Sequence, residues 1–204
     1  MKQRGLGLLA LACATFGAAL SHATVIEPES VNDAAITGAA FPKALSEFAF
    51  FQDAREQHPS AGVHPYALNT PLWSDGAEKL RFIYLPEATQ LVADGGGLLT
   101  FPVGAAIIKT FAFGEGEARR LIETRVLLHR AEGWVALPYR WNAEQTEATL
   151  AVAGARVAAI TPAGEAIDYR VPNKNQCKEC HGLNGAVVPI GPKARNLSRD
   201  WLAD

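Results

Sequence analysis

Short runs of alternating or continuous apolar positions occur along most of the chain, and they predict β-strands. Such runs cover residues 79–85, 105–113, 120–129, 134–141, 156–160 and 166–171. The segments GEGEA, AEGW and TPAGE between them carry the residues that favour tight turns and predict hairpins. Because no helical pattern separates the strands, we expect a mainly β fold with an antiparallel sheet or a barrel-like domain.

Two further segments have other patterns. Leu45, Phe48 and Phe51 follow one another at roughly helical spacing, which predicts a short amphipathic helix near the N-terminus. Residues 52–73 contain three prolines and a glycine and are predicted to form a loop. A C-terminal helix or loop is expected just after Pro172.

The first residues have the composition of a secretory signal peptide. Lys2 and Arg4 precede an apolar run, and Ser21-His22-Ala23 is a small-x-small cleavage site. We therefore expect export to the periplasm with cleavage after residue 23. No stretch reaches the ~18 apolar residues of a membrane span, so no transmembrane helix is expected in the mature chain. The alternatives are a retained anchor and a lipoprotein modified at Cys13.

Composition narrows the possible functions. Loss of Lys2 and Arg4 changes the formal charge from −2 to −4, and no basic stripe is present, so nucleic acid is not an expected partner. After processing, only Cys177 and Cys180 remain of three cysteines, and the sole methionine, Met1, is lost.

The sequence predicts four parts: a signal peptide (1–23), a leader (24–39), a β-rich domain (40–172) and a C-terminal segment (173–204).

That C-terminal segment contains a Cys-x-x-Cys-His motif formed by Cys177, Cys180 and His181. A thioredoxin-type dithiol should follow a strand and open a long helix, whereas these flanks are polar. Zinc needs four ligands, and no second cysteine pair is present. A disulfide between the two cysteines would close too short a loop to stabilise the fold much. The motif is, by contrast, the specific signature of c-type haem attachment.

Helical geometry explains why haem attachment uses this spacing. Residues i, i+3 and i+4 share one face of a helix, so Cys177 and Cys180 can form thioethers with two haem vinyl groups while His181 reaches the iron. We therefore predict one covalent haem c with His181 as the proximal iron ligand. The segment VPIGPK resembles the stretch of small cytochromes c in which a proline carbonyl accepts the second ring N–H of the proximal histidine, and this resemblance makes Pro189 or Pro192 the expected acceptor for His181.

The distal iron ligand is left open by the sequence. Methionine is excluded, because none follows Met1. His64, in the proline-rich segment GVHPYALN, is the candidate internal ligand, and His58 and His129 are others. An open or water-bound iron is equally compatible with the sequence.

Charged residues also occur on apolar strand runs. Alternation places Lys109 on the same strand face as Ile107, which makes it a candidate haem-pocket residue. A lysine on an edge strand, or one whose ammonium extends to solvent, is the alternative. Glu123 and Arg125 share one strand face and are expected to form a surface pair.

VPNKNQCKECH followed by PIGPKARNLSRD resembles a family of bacterial periplasmic c-type cytochromes, which are usually di-haem. LNTPLWSDGAEKLRFIYLP, FPVGAAIIKTF, RLIETRVLL and LPYRWNAEQTEATL are also similar, so the resemblance covers roughly residues 42–200. It implies a β-rich domain with a first haem site, followed in the family by a second cytochrome domain. This chain ends before a second motif, which implies a truncated product or a mono-haem form.

The order SDGA, FPVGAAIIK, GW and CKECH is also similar to small mono-haem cytochromes that oxidise hydroxylamine, and to related gas-binding cytochromes. In those enzymes a lysine is cross-linked to the porphyrin and the iron keeps an open distal position, which would make Lys109 the residue to examine. The resemblances thus imply either an electron carrier that serves periplasmic redox proteins or a haem protein acting on hydroxylamine or nitric oxide. The longer run of matching motifs favours the electron carrier, and no catalytic residue is assigned.

Overall fold

The computed structural model describes residues 30–93 and 95–198, without the side chains of Lys178 and Cys180. The predicted signal peptide, its cleavage site and Cys13 lie outside the described residues. The protein is mainly β, as the sequence predicts. Within the described residues, no helix has the length and apolar character needed to cross a membrane.

The elements follow one another along the chain in this order. The N-terminal half contains α1 (Asp33–Thr37), a 3₁₀ turn (Leu45–Phe48), β1 (Phe51–Asp53), β2 (His58–Pro59), β3 (Val63–Pro65), β4 (Glu78–Tyr84), β5 (Val92–Ala93) and β6 (Leu99–Thr100). The middle contains β7 (Ala106–Phe113), a 3₁₀ turn (Gly116–Ala118), β8 (Arg120–Arg130), β9 (Gly133–Trp141), β10 (Ala148–Leu150), β11 (Ala155–Ile160) and β12 (Ala166–Val171). The C-terminal part contains α2 (Lys174–His181), β13 (Gly182–Leu183), β14 (Ala186–Val187) and a last 3₁₀ turn (Ala194–Asn196).

A six-stranded antiparallel sheet organises the molecule, with strand order β10-β9-β8-β7-β4-β3. The six strand runs predicted from the sequence are all present, each within one residue of its predicted ends. The three predicted turns join β7 to β8, β8 to β9 and β11 to β12 as hairpins. The β11–β12 hairpin forms a separate two-stranded sheet.

The region before β4 is more regular than the sequence suggests. The prediction of a loop over residues 52–73 is wrong in part, because three short strands involve this region: β1 pairs with β2, and β3 pairs with β4. Pro65 is tolerated in β3 because that strand lies at the edge of the sheet. The predicted helix is a single 3₁₀ turn, which ends where Ala49 adopts a left-handed conformation (φ 53°), so Phe51 already belongs to β1.

One face of the sheet is covered by the chain's N-terminal part. Ile36 of α1 and Phe48 are fully buried against sheet residues such as Ile108 and Tyr139. Helix α1 falls in the segment expected to be a leader. Arg130 fixes this segment by donating hydrogen bonds to the backbone carbonyls of residues 36, 39 and 40. The N-terminal segment is therefore part of the first core.

The opposite face of the sheet carries the C-terminal segment. A second core joins Ile83, Ile107 and Leu127 of the sheet to Cys177 of α2. Residues 193–198 extend along the same side, where backbone hydrogen bonds connect them to residues 67–69 and 96–97. The Cys-x-x-Cys-His motif is thus held against the sheet from both of its ends.

Candidate functional site

Helix α2 begins at a well-formed N-cap. The Asn173 side chain accepts a hydrogen bond from the Gln176 backbone N–H (2.9 Å), and the Gln176 side chain accepts one from the Asn173 N–H (3.0 Å). This reciprocal arrangement satisfies two donors that would otherwise have no partner at the helix start. The helix places Cys177, only 6% exposed, in the second core. Cys180 lies on the next turn, and its side chain is outside the described part of the structure.

A tight hairpin follows the motif directly. Strands β13 and β14 are joined by Asn184 and Gly185, whose φ angles of 52° and 81° are those of a type I′ turn. Asn-Gly is the residue pair that this turn prefers, because both positions need positive φ. The hairpin brings Val188 back to the end of α2, where its backbone N–H donates to the carbonyl of His181 at 2.7 Å.

Val188 also holds the imidazole of His181. The ring Nδ1 lies 3.2 Å from the Val188 carbonyl oxygen. The accepting carbonyl is therefore that of Val188, and the prediction of Pro189 or Pro192 is wrong. Because a carbonyl can only accept, Nδ1 carries the proton and Nε2 is the nitrogen that can bind a metal. Burial, and then the positive charge of Lys109, lower the pKa of His181, which keeps the ring neutral near pH 7.

Two cavities meet at His181. The larger, about 330 Å³, lies between the sheet and the loops of residues 66–74 and 189–193. The smaller, about 260 Å³, is lined by Cys177 and by residues of β8, β9 and α2. His181, Arg125 and Leu127 border both cavities. A ligand that occupies both cavities can therefore contact Cys177, His181 and the sheet at the same time.

Five cations line the larger cavity: Lys79, Arg81, Lys109, Arg125 and Lys193. Burial, followed by the charges of Arg125 and Arg81, lowers the pKa of Lys109 to about 8. Burial, followed by the charge of Arg81, also lowers the pKa of Lys79. Positive charges therefore lie close together in this cavity, and burial together with mutual repulsion makes Lys79 and Lys109 easier to deprotonate.

Lys109 does not lie on an edge strand, since β7 is an inner strand of the sheet. Its side chain is partly buried, lines the cavity beside His181, and has its ammonium 5.1 Å from the centre of the Phe111 ring. Lys109 therefore lies on the predicted strand face, together with Ile107, and the edge-strand alternative is wrong.

Glu123 and Arg125 form a buried pair rather than the expected surface pair. Glu123 is completely buried and accepts hydrogen bonds from Arg125 Nε (3.0 Å) and Nη2 (2.5 Å). The Tyr169 hydroxyl donates a third bond to Glu123, at 2.7 Å. Burial, and then the charge of Glu123, raise the pKa of Tyr169. The β11–β12 hairpin covers this pair, and the sequence gives no sign of that packing.

The other candidate histidines lie apart from His181. His64 is exposed on edge strand β3 and is not among the residues lining either cavity at His181. His58 is exposed on β2. His129 stacks on Trp134 at 4.6 Å between ring centres, and its Nδ1 lies 2.9 Å from the Pro102 carbonyl oxygen. The structure therefore does not bring the predicted distal ligand to the predicted proximal one.

No protein-family model, curated protein or solved structure matches this chain. The resemblances to cytochrome families stay predictions.

Proposed function

We propose that the protein is a periplasmic c-type cytochrome that carries one covalent haem and transfers single electrons. The observation that carries this proposal is the setting of His181 within its motif. Its Nδ1–H is engaged by Val188, its Nε2 is the nitrogen left for iron, and the ring borders the cavity that contains Cys177. A ring held in this way is oriented before any ligand arrives.

The residues around the motif fit a haem in their chemistry. Apolar side chains such as Leu68, Ile107, Leu127 and Ile190 line the larger cavity together with cations. A porphyrin has an apolar macrocycle and two carboxylates, so it can use both kinds of lining. Cys177 would provide one thioether and Cys180 the other, and His181 would bind the iron. The iron of a bound haem supplies the chemistry, a reversible change of charge by one electron.

The chain's own contribution to electron transfer is to keep the ligand set rigid. The Asn173–Gln176 cap fixes the start of α2, and the β13–β14 hairpin fixes its end. The hydrogen bond to Val188 makes the His181 ring a stronger donor, which favours the ferric state. Rigid ligation limits the structural change between oxidation states, which is what an electron carrier needs.

One observation favours a second function, the binding or oxidation of a small nitrogen compound at an open iron. Among the described residues that line the larger cavity, His181 is the one histidine, and methionine is absent. Besides guanidinium groups, the other basic nitrogens on the described lining of this cavity are the amines of Lys79, Lys109 and Lys193. An iron there would have an accessible sixth position, open to nitric oxide or hydroxylamine.

Haem staining after denaturing electrophoresis tests the attachment. The purified protein should stain, and the Cys177→Ser/Cys180→Ser double variant should not. Glu179→Ser is the matched control, because it changes an exposed residue between the two cysteines without removing a thiol and should stain like the wild type. Haem that is extracted from the wild type by acidified solvent would contradict the proposal.

Carbon monoxide then separates the two functions. A reduced protein whose absorption spectrum does not change under carbon monoxide has a filled sixth position, as expected of the electron carrier. A spectrum that shifts at once has an open position. In that case hydroxylamine-dependent reduction of an added electron acceptor would identify the enzyme.

A further inference from the structure

Three of the five cations in the larger cavity lie side by side across the sheet, and Lys193 lines the cavity from the C-terminal segment. Arg81 of β4 is directly opposite Lys109 of β7, and Lys109 is directly opposite Arg125 of β8. Lys79 lies on the same strand face, two residues before Arg81. Like charges placed directly opposite one another on neighbouring strands destabilise a sheet. A negatively charged group bound among these side chains would relieve this repulsion.

Among the described residues, one of these three neighbouring cations takes part in an ion pair. Arg125 is paired with Glu123 and lies over the Phe111 ring, 4.3 Å from its centre. In the part of the chain that the structure describes, Lys79, Arg81 and Lys109 take part in no ion pair. Arg81 donates to the backbone carbonyl of Lys79 at 2.9 Å, and Lys79 donates to that of Leu72. These backbone bonds orient the two side chains without neutralising them.

The rest of the cavity wall indicates what kind of anion would bind. Leu68, Ile107 and Leu127 are apolar, whereas Thr70 and Asn196 offer neutral hydrogen-bonding groups. A ligand that suits this wall has an anionic end and an apolar body. The cavity adjoins the one that contains Cys177, and His181 borders both. In a haem c the thioether-bearing edge and the carboxylate-bearing edge lie on opposite sides of the ring.

We propose that Lys79, Arg81 and Lys109 form a carboxylate-binding site for the haem propionates. This inference rests on the proposed function. Ion pairs with these cations hold both carboxylates ionised, and they remove the repulsion between the strands. The shared chemistry, anionic oxygens bound by two or three cations, also suits a free small oxyanion such as nitrite. The experiment below separates the two sources.

The test measures the midpoint potential of the haem-loaded protein as a function of pH. Propionates paired with cations have a pKa below the usual carboxyl value of about 4, so the wild-type potential should be constant between about pH 5 and 7. In Arg81→Gln and Lys109→Gln, a propionate in the partly buried cavity loses its partner and its pKa rises into that range. Its ionisation then stabilises the ferric state, so the potential should fall as the pH rises.

Arg156→Gln is the matched control, since it removes an arginine from an exposed ion pair with Asp168 on the β11–β12 hairpin. Its potential should be as independent of pH as that of the wild type. A wild-type potential that already falls between these pH values overturns the propionate assignment without any variant. If one of the two variants does not fold, the pH dependence of the potential in the other variant and in the wild type still tests the propionate assignment.

A calorimetric titration of the haem-loaded protein with nitrite tests whether the site binds a free oxyanion instead. No binding is expected where propionates fill the site. Nitrite binding that Arg81→Gln abolishes, with unchanged pH profiles in the variants, would assign the site to a free oxyanion and overturn the propionate assignment. Unchanged pH profiles without nitrite binding would overturn the anion site altogether. A wild-type protein that does not stain for haem would instead contradict the proposed function. The two proposals are therefore tested by different measurements.

Discussion

Tyr169 of β12 donates a hydrogen bond of 2.7 Å to Glu123 of β8, and this bond joins the β11–β12 hairpin to the main sheet. Glu123 is fully buried and also accepts two bonds from Arg125. The hairpin therefore covers Glu123, and Arg125 extends from it to line the cavity at His181.

Tyr169→Phe should destabilise the protein by roughly 1–3 kcal/mol, because a buried carboxylate loses one of its donors. Urea unfolding of the haem-loaded protein, followed by far-UV circular dichroism, measures this change. Tyr84→Phe is the matched control: its hydroxyl donates 2.7 Å to Asp33, whose side chain is exposed and can bind water instead. An equal loss in both variants would show that burial of Glu123 does not matter.

The turn at Gly185 should tune the haem potential. Gly185→Val places a β-branched residue at φ 81°, which costs about 1–2 kcal/mol and distorts the hairpin that presents the Val188 carbonyl. The His181 ring then donates less strongly to that carbonyl and becomes a weaker iron ligand. We expect covalent haem to be retained and its midpoint potential to rise.

Gly164→Val controls for that strain. Gly164 has φ 83° in the turn between β11 and β12, and like Gly185 it has open space where a Cβ would lie. The backbone cost should be the same, yet the potential should equal that of the wild type. A rise in both variants would attribute the effect to general loosening of the fold.

His64→Ala should leave the absorption spectrum of the haem-loaded protein unchanged in both oxidation states. His64 is exposed on β3 and does not line the cavity at His181, so its removal should not alter the iron's coordination. Lys109→Met is the comparison variant: its spectrum is expected to differ from that of the wild type, because Lys109 lines that cavity. A change to a high-spin spectrum in His64→Ala would show that the β3 edge moves onto the haem.

Alkaline pH should destabilise the protein through its tyrosines. Burial raises the pKa of Tyr66 to about 12, and burial also raises the pKa of Tyr84, Tyr139 and Tyr169. A folded-state pKa above the unfolded value of about 10 gives stability that is present below pH 10 and lost above it. Ultraviolet resonance Raman spectra should therefore show no tyrosinate in the folded protein at pH 10.5, and unfolding free energy should fall from pH 9.5 to 11.5. Tyrosinate formation at pH 10 without unfolding would contradict this expectation.

The strands could be predicted because their apolar patterns are long enough to read. Residues 105–113 and 120–129 each include a continuous run of positions that face one core or the other. Strands β13 and β14 have two residues each, which is too short for any alternation, although the Asn184-Gly185 pair between them was a visible hairpin signal. Helix α1 is also too short, at five residues, to show a helical period.

The sequence could single out the candidate site but not its electrostatics. Cys177, Cys180 and His181 are close in sequence, so their spacing alone suggests a motif, and the haem that it predicts stays a prediction. Arg81 and Lys109 become neighbours only through the register of β4 against β7, which depends on which residues pair rather than on local pattern. The prolines around His64 predict a loop that can fold over a haem, whereas pairing with β4 fixes His64 at the sheet edge.

Ile108 and Lys109 are adjacent in sequence yet lie on opposite faces of the sheet. Ile108 packs in the first core under the N-terminal segment, and Lys109 lines the cavity. Substitutions of cavity-face side chains can therefore change the ligand site while the side chains of the first core stay in place, because successive residues of a strand point to opposite faces of the sheet. Descendants of such a scaffold can acquire a different ligand or potential by changing alternate residues of three strands. Insertion of one residue into β7 would have the opposite result, exchanging the two faces and abolishing scaffold and site together.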